Sequence, residues 1–241
     1  MCRMGASEYR LARLHAVLLL ASWLAGTVLV LMANAAAPTT PPAPITAEYL
    51  ALLRGSWGWY AAGYALFFVA DGAIALLGVS LVVWLQPLPG FRGPAIVVLF
   101  VLAGTLGVLA DLAMLSAAQL FRVGSPLLAP DAVAAWLDDL NATCNWLSAA
   151  SFLPAGLATW LACAAARDAG VGSGWIAFNR FAALYQIAAG LLSAAAFLTQ
   201  QTVLIDLALI GAVVVMPVLA VIWLGWMLRE MKTQPLRSQG P

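Results

Sequence analysis

Apolar runs about as long as a bilayer core is thick recur six times along this 241-residue chain, with only short polar connections between them. Backbone inside hydrocarbon must satisfy its own hydrogen bonds, so runs of this length are read as helices. They place spans at 14–33, 61–85, 94–120, 140–166, 180–198 and 203–228. The expected fold class is an all-α membrane protein: one polytopic domain, a six-transmembrane-helix bundle. Only 9% of the residues are charged, against about a quarter in soluble domains, which excludes a water-soluble globule.

An even number of spans puts both termini on one side, and basic residues choose the side. Arg3, Arg10, Arg13, Arg92, Arg167, Arg180, Arg229, Lys232 and Arg237 fall together, with Arg54 and Arg122 opposite. Both termini are therefore expected to be cytoplasmic, in the cell (inner) membrane. The first span also has features of a secretory signal, with arginines before it and an A-x-A-like stretch, ANAAAP, after it. Its run from Leu14 to Met32 exceeds the usual signal core of about 7–15 residues, which favours a retained helix. Cleavage would leave five spans and an outside amino terminus.

The connections have their own signals. After the first span, the prolines of APTTPPAP are incompatible with a continuing helix. Thr46 as a cap, Ile45 and Leu50 at staple spacing, Glu48 in the first turn and Gly55 as a stop then predict a short extracytoplasmic surface helix between helices 1 and 2. Trp57, Trp59 and Tyr60 follow it as an interfacial belt. In the second outer loop, Pro130 suits a first helical position and Asp131 an amino-terminal turn, so the fourth helix is expected to begin outside the membrane. The inner connections QPLPGFRG and RDAGVGSGW are tight turns with no room for a catalytic domain. A last turn near Gln200 to Thr202 makes helices five and six a hairpin.

Two carboxylates lie within the apolar runs. Asp71 is ten residues after the outer start of the second span, and Asp111 nine before the outer end of the third. Each is thus roughly 15 Å deep. Both lie on faces rich in small residues, Gly63, Phe67, Asp71, Ala75 and Gly78 on one helix and Gly104, Gly107, Asp111 and Ala118 on the other. Such faces let helices approach closely, so both carboxyls are expected to point into the bundle. If they meet there, they share a proton. On helix four, Asn141, Asn145 and Ser148 continue as a polar stripe through Phe152, Ala155 and Thr159, interrupted by Pro154.

With Asp206 at the outer start of helix six and Pro217 able to kink that helix, these residues outline an outer-facing polar chamber. Arg122, eleven residues from Asp111 and on nearly the same face, or Arg54, would be its countercharge. Gln186, Gly190 and Ser193 would face it from helix five. Buried carboxyls beside kinked helices suit a proton, cation or small polar solute. Hydrogen bonding between helices that only fixes their packing is the competing reading.

Other chemistry is poorly supplied. No basic face exists for nucleic acid, since the net charge is +1. One histidine, and three cysteines without C-x-x-C spacing, argue against a metal or haem site, and no cofactor is expected. His15, beside Arg13, reads as an interfacial anchor. Cys144 and Cys163 are nineteen residues apart on one helix, about 28 Å, too far to bridge. The acceptor-like NAT at Asn141 is taken as chance, and the ten tryptophans as an aromatic belt. The two halves show no inverted repeat. No nucleophile motif accompanies the aspartates, so catalytic residues are expected to be absent.

In pattern the chain resembles bacterial six-helix membrane proteins of unknown function. RLARLHAVLLLASWLAG, ADGAIALLGVSLVVWLQ, NWLSAASFLPAGLATWLA and VVVMPVLAVIWLGWML carry the resemblance. It implies a plasma-membrane location and supplies no reaction. The leading functional expectation is binding or conduction of a small solute, proton or cation through the polar chamber. The alternative is a non-catalytic accessory or structural subunit of a larger membrane complex. Beyond the lipid bilayer, a membrane-protein partner or a second copy is the partner class expected.

Overall fold

In a computed structural model of the protein, residues 6–35, 47–85, 88, 90–123, 130–199, 201, 203–204, 207, 211 and 215–233 are described, some by backbone alone. They form six helices, with no strand among the described residues: α1 (Ala6–Ala35), α2 (Ala47–Trp84), α3 (Arg92–Val123), α4 (Pro130–Asp168), α5 (Ser173–Thr199) and α6 (Met216–Thr233). Four segments, Arg10–Ala33, Arg54–Trp84, Arg92–Gln119 and Asp131–Asp168, are long and apolar enough to cross a membrane. This is the make-up of a helical membrane protein.

Helix α4 begins at Pro130, with Asp131 in its first turn. A proline there gives up no intrahelical hydrogen bond, and the acid faces the positive end of the helix dipole. It closes at the other end on a left-handed glycine, Gly170 at φ 74°. Val171 N donates to Ala166 O at 3.0 Å and Gly170 N to Arg167 O at 3.1 Å, pairing carbonyls the helix end would leave unpaired. Gly90, at φ 61°, serves the turn between α2 and α3. Close to these two turns, Arg92 Nη1 meets Asp168 Oδ2 at 2.6 Å and ties the start of α3 to the end of α4.

The separate surface helix expected before the second span is not present: α2 is one helix of 38 residues, with Gly55 inside it. An interior glycine weakens a helix by about 1 kcal/mol without ending it. The turn that follows is held by packing, since Ser56 and Tyr60 are buried and Tyr60 lies in an apolar cluster with Met114 of α3 and Leu137 of α4. Thr46, the expected cap, lies outside the described residues.

Successive helices pack on one another, α2 also touches α4, and α6 returns to α1 and α5. Helices α1 and α2 meet nearly backbone to backbone. A Cβ on Gly26 would stand 2.9 Å from Gly63 O, and one on Gly63 3.1 Å from Gly26 O. Near the α2–α3 turn, a second cluster joins Ala16 of α1, Leu81 of α2, Phe100 of α3, Ala162 of α4 and Trp175 of α5, with Trp223 of α6 packed against it. Trp223 Nε1 donates to Asn179 Oδ1 at 2.9 Å, linking α6 to α5. The wide-turned backbone at Gly211 and Val215 just precedes Pro217, which has no N–H for the ladder.

His15 is not an interfacial anchor. It is buried between α1 and α2, with Nδ1 2.7 Å from Ser80 Oγ. The Ser80 hydroxyl donates to Leu76 O at 3.1 Å, so its single proton is used and Nδ1–H is the donor between the two side chains. The face of α1 that carries Ala12 and Ala16 into the bundle carries His15 with them.

Candidate functional site

Helices α2 and α3 come together at the aspartates because α3 is stripped of side chains there. A Cβ on Gly104 would stand 2.5 Å from Asp71 O and 3.2 Å from Ala75 N. One turn on, the Asp71 carboxyl occupies the space that a Gly107 side chain would need. Asp111 follows one turn later on the same face, 6% exposed, and its carboxyl is within hydrogen-bonding contact of Asp71.

The chemistry of that contact is restrictive. Two carboxylates offer only acceptors, so a hydrogen bond between them requires a proton on one of them. Among the described residues neither aspartate forms an ion pair. Asp111 Oδ2 is buried and has no hydrogen-bond donor there. A proton held by the pair is the donor this site can provide for itself. No group of three metal-binding side chains is gathered anywhere among the described residues.

The third side chain at the pair is Cys144 of α4, which sequence reasoning passed over as one of two unbridgeable cysteines. It is buried, its Sγ donates to Ala110 O at 3.4 Å, and it lies within electrostatic reach of Asp111. One signal pointed to it: Cys144 lies seven residues after Leu137 and eleven after Val133, on the same apolar side of α4, and a free cysteine is among the most buried residue types. Cys144 and Cys163 are both free thiols.

The expected polar stripe of α4 is rotated off the pair. Asn141 and Asn145 are half-buried on its flank, Ser148 is exposed, and no hydrogen bond joins any of the three to Asp71 or Asp111. Leu137 and Cys144 occupy the face turned toward α3. On α5, Gln186 and Gly190 serve the contact with α4 instead of a chamber: Gln186 Oε1 is 3.4 Å from Thr159 Oγ1, and a Cβ on Gly190 would lie 3.1 Å from Ala149 O. Ser193 is half-buried. Arg54 is exposed. Asp206 and the Arg122 side chain lie outside the described residues.

Above Asp71, the side chains of α2 form a ladder of rings. Tyr60 and Tyr64 have centroids 4.8 Å apart, and Tyr64 meets Phe67 edge-on at 5.5 Å. Tyr60 Oη reaches Met114 Sδ at 4.0 Å. The ladder ends one turn from Asp71, where the Phe67 ring fills the space beside Gly26 of α1, while Asp71 itself faces Gly107 of α3.

No protein-family model, curated protein or solved structure matches the chain.

Proposed function

We propose that the chain is a six-span protein of the cell inner membrane with both termini cytoplasmic, and that its Asp71–Asp111 pair binds and passes a proton, alone or in exchange for a small cation or polar solute. The observation that carries this reading is the contact itself, two carboxyls from neighbouring helices within apolar segments, without a basic partner among the described residues. A carboxyl so placed is expensive unless it does something. The Arg92–Asp168 bridge supports the topology, because it holds the α2–α3 and α4–α5 connections at the same end of the bundle.

The test is proton flux into vesicles carrying the purified protein and an entrapped pH-sensitive dye. Asp71→Asn and Asp111→Asn keep the size of each side chain while removing the titratable group. Either variant is expected to lower the flux at least about tenfold, the loss of roughly 1.4 kcal/mol of barrier lowering, with thermal stability kept. Equal flux in all three proteins would refute the reading. So would a wild-type protein that moves no protons and leaves mild detergent bound stoichiometrically to another membrane protein, which is the behaviour of an accessory subunit.

A further inference from the structure

Arg180 of α5 is a cation at a defined depth. Nineteen residues separate it from Thr199 at the other end of the helix, about 28 Å of rise against a hydrocarbon core of roughly 30 Å. With Thr199 at one interface, Arg180 stands at the other, where lipid phosphates lie. Its guanidinium lies over the ring of Trp160 of α4 in a cation–π contact, the central carbon 5.8 Å from the ring centroid. A contact at that distance engages the charge and leaves N–H donors available.

Among the described residues no carboxylate pairs with Arg180 and no acceptor hydrogen-bonds to it, whereas Arg92 is bound to Asp168. The residues around it face outward and are apolar: Leu157 and Trp160 on α4, Phe181 and Leu184 on α5 are all exposed. A fork of donors at phosphate depth, backed by an indole and continued by a greasy groove, fits a ligand that has an anionic phosphate at one end and acyl chains at the other.

We infer that Arg180 and Trp160 form a binding site for the phosphate of an anionic phospholipid in the groove between α4 and α5. The site depends on the membrane-spanning reading of α4 and α5 and is independent of the aspartate pair. Arg180 contacts the phosphate and Trp160 positions the guanidinium through the cation–π contact.

The experiment is native mass spectrometry of the full-length protein in mild detergent, titrated with phosphatidylglycerol, with melting temperature read in parallel. Arg180→Gln is expected to weaken lipid retention about tenfold, as the loss of one charge-assisted contact does. Trp160→Leu gives a smaller loss, and Arg167→Gln, a basic control at the end of α4, gives none. Should Arg180→Gln fail to fold, Arg180→Lys is read in its place and is expected to retain charge yet bind several-fold more weakly, because an ammonium has no fork. Wild-type retention in both Arg180 variants, or an equal loss in Arg167→Gln, overturns the inference. Displacement of the lipid by millimolar inorganic phosphate overturns it too, assigning the groove to free phosphate. Unchanged proton flux in Arg180→Gln with lipid lost separates this site from the aspartate pair.

Discussion

The close approach of α2 and α3 at Gly107 yields a prediction with a sign that can be checked. In Gly107→Ala the new Cβ would fall on the Asp71 carboxyl, with Asp71 Oδ1 at 3.0 Å and the other two carboxyl atoms closer still. The added methyl is favourable to the helix by about 1 kcal/mol. Against this, overpacking costs about 1–3 kcal/mol. If Asp71 swings aside, the Asp111 carboxyl, whose Oδ2 has no other donor among the described residues, loses its partner for roughly another 1–3 kcal/mol. The net expectation is a loss of about 1–5 kcal/mol. Gly72→Ala is the control, because a Cβ there meets nothing within 4 Å, so it gains up to about 1 kcal/mol. Denaturant unfolding in mild detergent, or a melting curve read as a rank order, measures both. The decisive comparison is Asp71→Ala with Gly107→Ala, in which removal of the carboxyl makes room for the methyl. The pair is expected to be non-additive by about 1–3 kcal/mol. Strict additivity, or a Gly107→Ala protein as stable as wild type, would refute the packing described between α2 and α3.

Further outcomes follow from other contacts. Ser80→Ala removes the partner of His15 Nδ1 and is expected to cost about 1–3 kcal/mol, the penalty for a buried polar group left unpaired; Ser80→Thr, which keeps a hydroxyl, is expected to lose less in the same melt. Breaking the half-exposed Arg92–Asp168 pair with Asp168→Asn is expected to cost no more than about 1 kcal/mol, shrinking as salt is raised. Cys144 and Cys163, both buried and free, are expected to resist a membrane-permeant maleimide until the protein is unfolded; peptide mapping by mass spectrometry reads this, and fast labelling of Cys144 in the folded protein would show that solvent or reagent reaches the aspartate pair.

Much of this architecture is local information. The apolar runs, the proline that opens α4 and the glycines in the α2–α3 and α4–α5 turns act over a few residues, and each depends on hydrogen bonding and solvation that neighbouring sequence determines. The small-residue stripes around Asp71 and Asp111 were likewise legible, because a helix repeats its face every three or four residues. That much required only the order of the amino acids.

What the tertiary structure alone decided is rotation and partnership. A polar stripe on α4 identifies a face but not the direction in which neighbours turn it; a shift of one residue rotates that face by about 100°. Packing of Leu137 and Cys144 toward α3 set the rotation, which brought a thiol to Asp111 and left Ser148 exposed. In the same way Tyr60, buried beside Met114 and Leu137, carries α2 through Gly55 where local signals indicated a stop. His15 found Ser80, sixty-five residues away. Each of these outcomes depends on contacts between residues distant in the chain, whose energies no window of sequence contains, while the helices themselves depend on contacts within one or two turns.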